Sequence, residues 1–108
     1  MIIYHITSKN EWLAAKTAGV YRAPSLETEG FIHCSTREQV VDSARNHFAG
    51  RADLVLLRIQ SGLLIPALRL EGERLWPHIY GPLNLEAVER VAEFPLLPGG
   101  DFQFPVGV

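Results

Sequence analysis

Ile2-Ile3-Tyr4-His5-Ile6 opens the chain as a run of β-branched and aromatic residues, and Ser8 and Glu11 follow it at once. The run predicts a strand, with Ile3 and His5 on one face and Ile2, Tyr4 and Ile6 on the other. Ser8 and Glu11 have the spacing of a capping box, in which each side chain satisfies a backbone donor at a helix start. Gly19 supplies the left-handed stop. A helix therefore follows directly, and Trp12, Ala15 and Ala18 are its expected buried stripe.

The same order recurs further on. Phe31 to Ser35 reads as a second strand, Thr36 with Gln39 as another capping box, and Val40, Val41, Ala44 and Phe48 as one face of a second helix ended by Gly50. Between the two units, Tyr21 to Gly30 carries Pro24, Ser25, Thr28 and Gly30 and reads as a loop. Leu54 to Ile59 is apolar except for Arg58, the pattern of a central strand covered on both sides. Ala67 to Leu70, Val88 to Phe94 and Phe102 to Phe104 are further strand candidates. Gly72 to Arg74 reads as a tight connection, and Asn84 as the cap of one helical turn. Pro77 and Pro82 bracket an extended, stiff segment. Two early helices and many short strands, without regular alternation, predict an α+β fold with a mostly antiparallel or mixed sheet.

At 108 residues the chain suits one domain, residues 1–108, because two separate cores would each be too small to offset chain entropy. Hydrophobic residues make up 47% and charged residues 20%, which separates the chain from disordered polymers. A formal net charge of −2 and scattered arginines provide no basic block for duplex DNA. The single cysteine, Cys34, has no partner for an internal disulfide, and no export signal opens the chain, so a cytoplasmic location is expected. No apolar run approaches the roughly 20 residues that span a bilayer, so no membrane partner is expected. The oligomeric state stays open.

Several residues carry chemistry. An imidazole in an apolar strand needs partners, so His5 is either a core histidine bonded to a carbonyl or a functional group. Strand alternation sets His33 and Ser35 on one face and Cys34 on the other, which argues against a cysteine-histidine nucleophile. Cys34 is expected as a small buried hydrophobe, and His33 as a hydrogen-bond donor or proton carrier. Trp76-Pro77-His78-Ile79-Tyr80-Gly81-Pro82-Leu83 reads either as a pocket wall, with Tyr80 stacking on a planar ring and His78 bonding to it, or as a rigid turn with core aromatics. Glu71 and Glu73 stand in a predicted turn, and Glu71, at a strand end, is the better candidate for a base or cation stabiliser. Arg22 can grip a phosphate in a bidentate manner. His5, His33 and His78 lack a short-spaced ligand pair, so no metal is expected.

These motifs, Tyr4-His5-Ile6, Ser25 through Thr36, Asp53 to Leu57 and Pro77 to Leu83, resemble those of the bacterial and plant family known as domain of unknown function 952. That family is similar in fold to the ADP-ribosyltransferases, an α+β scaffold of two short packed sheets, here with two N-terminal helices, and an NAD-binding cleft. The resemblance implies His5 and His33 as residues that hold and frame a nicotinamide ribose. It leaves the third position open among Glu71, His78 and Tyr80. It implies NAD or another small nucleotide-type ligand, held also by Arg22, Ser35, His78 and Tyr80, and either an ADP-ribosyl-transfer or RNA 2'-phosphotransferase-like activity or binding without turnover. Arginines characteristic of the phosphotransferase branch have no clear counterpart here.

Overall fold

A computed structural model describes residues 1–108. Strand β1 (Ile2–Ser8) runs directly into helix α1 (Lys9–Ala18), and a two-residue strand β2 (Val20–Tyr21) and one-turn helix α2 (Ser25–Thr28) follow. Strand β3 (Ile32–His33) leads through a single 3₁₀ turn into α3 (Val40–His47). The second half is β4 (Leu54–Gln60), β5 (Ala67–Glu71), β6 (Trp76–Tyr80), β7 (Leu83–Asn84) and β8 (Val88–Glu93). The strands pair antiparallel as β1-β4-β8, β3-β6-β5 and the ribbon β2-β7. The fold is thus α+β with small antiparallel sheets.

Alternation along β1 and β4 divides the interior in two. Ile3, Val55, Leu57 and Ile59 face one core, shared with Ile32 and Ile79 of the second sheet and Tyr21 and Leu83 of the ribbon. Tyr4, Ile6, Leu54 and Leu56 face the other, closed by Val40 and Ala44 of α3 and by Phe94, Phe102 and Val108. Strand β4 is apolar from Leu54 to Ile59 except for Arg58 because both of its faces are covered. Tyr4 and Ser35 exchange backbone hydrogen bonds of 2.8 Å in each direction, tying β1 to the chain just after β3 and bringing the two larger sheets together at a corner.

Local signals fixed most boundaries. Ser8 caps α1 by accepting from the Glu11 N–H at 3.0 Å, and Gly19 closes the helix with φ 82°. Thr36 and Gln39 form the full reciprocal box. Other expectations need correcting. Tyr21 to Gly30 is not plain loop: Tyr21 is pinned in β2 because its ring is buried in the first core, and Ser25–Thr28 makes a helical turn. Ala18 faces solvent, which leaves Ala15 buried and Trp12 half-buried on the α1 inner face. The Asn84 side chain does not cap; it donates to the Leu63 carbonyl and accepts from the Ile65 N–H. Phe102–Phe104 is not a strand, since ring packing holds it instead: Phe102 stacks on Phe94 at 5.3 Å and Phe104 meets Tyr4 edge-on at 5.1 Å.

Gly81, between β6 and β7, has no room for a side chain: an added Cβ would lie 2.9 Å from the Pro66 Cβ. Gly81→Ala is expected to cost about 1–3 kcal/mol through overpacking, measured as a lower urea midpoint with unchanged slope.

Candidate functional site

A cleft of about 480 Å³ opens where the end of β1, the start of α1, the α2 turn and α3 approach one another. His5, His33 and Ser35 all line it, so residues 28 and more apart along the chain meet there. Glu11, Tyr21, Ser25, Glu29, His47 and Arg51 line it as well.

His5 is held from both sides. Its Nδ1 lies 2.5 Å from the His33 carbonyl oxygen, and because a carbonyl only accepts, that nitrogen carries a proton. Its Nε2 lies 2.8 Å from the Tyr21 hydroxyl. Burial lowers the His5 pKa to about 4, against the opposing pull of the His33 carbonyl, so the ring is neutral at pH 7. The Tyr21 hydroxyl is 3.0 Å from Thr7 Oγ1, which is 2.9 Å from Glu11 Oε2. Of the two alternatives read for His5 from sequence, the carbonyl-bonded histidine is what the structure shows, and the same ring borders the cleft.

His33 has a divided role. Its carbonyl serves His5, while its exposed ring donates from Nε2 to Glu29 at 2.8 Å. Ser35 is buried at the cleft wall. Cys34 points into the first core, where burial pushes its thiol pKa up, as expected for a small apolar residue.

Glu71, His78 and Tyr80 form a different cluster. The Glu71 carboxylate accepts from the Tyr80 hydroxyl at 2.5 Å and from His78 Nδ1 at 2.8 Å. These two bonds, Tyr80's first, hold its carboxyl pKa below the ordinary value, and the same contact raises that of Tyr80. Phe31 stacks on His78 with centroids 4.0 Å apart, and Arg69 lies over the Tyr80 ring at 4.9 Å. Register explains the grouping: His33, His78 and Arg69 are cross-strand partners on one face of β3-β6-β5, while Ile32 and Ile79 fill the core behind. None of Glu71, His78 and Tyr80 lines the cleft, and His33, whose ring centroid is 5.3 Å from that of His78, is the junction between the two groups. Arg22 lies apart from both, on an exposed shallow surface beside Ala14, Ala18 and Val20. The expectation that these four residues share one pocket with His5 is corrected: strand pairing places three on a neighbouring sheet face and Arg22 beyond β2.

Sequence reasoning passed over Thr7, Glu11, Tyr21, Glu29 and Arg51. Glu29 carried a usable signal, since it stands four residues before His33. Glu11 was read only as a cap, yet its carboxylate turns to Thr7. Tyr21 lay in a stretch with no periodicity.

The molecule is therefore a small antiparallel-sheet α+β domain with one polar, histidine-bordered cleft. The chain belongs to the family described as Protein of unknown function (DUF952), whose model matches residues 6–91. It is similar to protein CC0527 from Caulobacter crescentus. The crystal structure of that protein is 37% identical over 95% of this chain and 94% of the other, with a TM-score of 0.88. Its solution NMR structure is 37% identical over 94% and 91%, with a TM-score of 0.82. A crystal structure of a double mutant of CC0527 gives 34% identity, 95% and 94% coverage and a TM-score of 0.84. No curated protein matches the chain. No helix is long and apolar enough to cross a membrane.

Proposed function

We propose that the cleft binds a small nucleotide-type ligand, with NAD or ADP-ribose as the leading candidates. The supporting observation is the convergence of His5, His33 and Ser35 on one hollow of about 480 Å³, within the size range of small-molecule sites. Ser25, Ser35 and His33 offer hydrogen-bonding groups suited to a ribose. Arg51, although paired with Asp53 through Nε and Nη2 at 3.1 and 2.9 Å, keeps further N–H donors for a phosphate.

If ADP-ribosyl transfer occurs, the nicotinamide–ribose bond breaks with its electron pair leaving on nicotinamide, and an acceptor hydroxyl oxygen bonds to the sugar carbon as its proton passes to solvent. A carboxylate beside the cleft would stabilise the cationic sugar. Glu29 and Glu11 line the cleft and Glu71 does not, so the carboxylate role in this reading passes to one of them.

A thermal-shift titration with NAD, ADP-ribose, AMP and a 2'-phosphorylated oligonucleotide tests the reading. A true ligand stabilises by about 2.7 kcal/mol at a hundredfold excess over its Kd. His33→Ala and Glu29→Gln, both at exposed side chains, should weaken that stabilisation while leaving the unliganded midpoint nearly unchanged. Absence of any shift with all four compounds refutes the reading. Nicotinamide release from NAD, measured alongside, separates transfer from binding alone.

A further inference from the structure

The hydrogen-bond chain behind the cleft contains fewer hydrogens than it has contacts. From His5 Nε2 through the Tyr21 hydroxyl and Thr7 Oγ1 to Glu11 Oε2 there are three contacts, of 2.8, 3.0 and 2.9 Å. With His5 neutral and its proton fixed on Nδ1 by the His33 carbonyl, and with Glu11 Oε2 accepting from Thr7, only the Tyr21 and Thr7 hydroxyls supply hydrogens. The Tyr21 hydroxyl is placed to donate to Thr7 Oγ1, and Thr7 to Glu11. The contact between His5 Nε2 and the Tyr21 oxygen is then left with two lone pairs and no hydrogen between them.

One added proton completes the chain in either of two ways. Placed on His5 Nε2, it makes Nε2 donate to Tyr21, Tyr21 to Thr7, and Thr7 to the Glu11 carboxylate. Placed on Glu11 Oε2, it makes Glu11 donate to Thr7, Thr7 to Tyr21, and Tyr21 to a neutral His5. The two forms contain the same atoms and the same number of protons, and differ only in the direction of every hydrogen bond.

We propose that Glu11, Thr7, Tyr21 and His5 form a one-proton relay, in which Glu11 is the acid-base group that the cleft presents and His5 is the positioning residue at its inner end. The relay would take a proton from, or return one to, a ligand group placed at the Glu11 carboxyl, and shift the charge inward to the His5 ring. The groups around it favour confinement of that proton. Cys34, just after β3, is buried with its thiol pKa pushed up, and the Tyr21 phenol is likewise raised by burial, so neither competes as a charged partner. His33 and Glu29 occupy each other at the cleft, His47 of α3 also lines it, and Arg51, in the connection between α3 and β4, feels the charge of Glu11. β4 brings only Leu57 opposite His5. The proposal does not rest on the identity of the ligand, and its test needs none.

The test is NMR of the unliganded protein labelled with ¹⁵N at histidine and ¹³C at the glutamate carboxyl. His5 should report the Nδ1–H tautomer, and the Glu11 carboxyl and His5 Nε2 signals should titrate together as one coupled unit. Glu11→Gln supplies the missing hydrogen permanently, through its amide N–H to Thr7, and should lower the His5 midpoint by about one pH unit, the scale of strong coupling. Thr7→Ser keeps the coupling, and Thr7→Val abolishes it. If Thr7→Val does not fold, Glu11→Gln, changed at an exposed helix start, carries the decision. A His5 midpoint and Nε2 shift unaltered in Glu11→Gln, or a Glu11 carboxyl that titrates without any response from His5, overturns the relay. Failure of every nucleotide in the thermal-shift titration leaves this result untouched, so the two proposals fail separately.

Discussion

Leu57→Ala is expected to lower the unfolding free energy by about 2–5 kcal/mol, the range for removing a fully buried leucine side chain and leaving a cavity. Leu57 is 0% exposed in the central strand β4 and faces the core that joins the two larger sheets. It is also the register partner of His5, so the cavity would open beside the floor of the cleft. For a domain of this size the loss corresponds to a melting temperature lower by on the order of 10–30 °C. Urea unfolding at neutral pH checks it. A loss below about 1 kcal/mol would mean that this core does not carry the contact between the sheets.

Acid destabilisation centred on His5 is the second large effect. The folded-state pKa of about 4 lies below the ordinary value of 6.5, so the unfolded chain binds a proton that the native ring rejects. Stability from this group is therefore fully present above pH 6.5 and is lost as the pH falls toward 4. At 1.36 kcal/mol per unit the loss amounts to about 3 kcal/mol. Asp101 acts in a separate window. Its carboxyl, held down to about 2 first by the Arg45 side chain, loses its contribution only as the pH falls from 3.8 toward that value. Chemical unfolding at intervals between pH 7 and 4 should show the slope in the natural protein. It should be largely absent from His5→Gln, which has no ring to titrate. An equal slope in both proteins would assign the effect elsewhere.

The scaffold was legible where one residue type answers one local demand. The Thr36–Gln39 pair closed its box as written, and the apolar run of β4, broken only by Arg58, announced two covered faces before either was known. The strand positions of His5 and His33 were legible too, although their meeting at one cleft is not something alternation along either strand announces. The limits have physical causes. Glu11 satisfies the spacing of a cap, but its carboxylate gains a charge-assisted bond from the Thr7 hydroxyl, a choice made by tertiary placement. Glu71 looked suited to the cleft because it ends a strand, yet antiparallel pairing with β6 commits it to His78 and Tyr80. Tyr21 could not be found from periodicity, because a two-residue strand has none.

His33 has a consequence for how this molecule can be dissected. Its peptide oxygen steadies an imidazole in the interior while its own ring answers to Glu29 at the surface. Alanine scanning exchanges only what lies beyond the Cα, so it would record the outer duty and remain blind to the inner one. An amide-to-ester replacement at the bond following His33, which weakens that oxygen as an acceptor and keeps every side chain, would reveal what the scan omits. The accompanying loss of the Cys34 N–H bond to the Pro77 carbonyl is subtracted with the same replacement in His5→Gln.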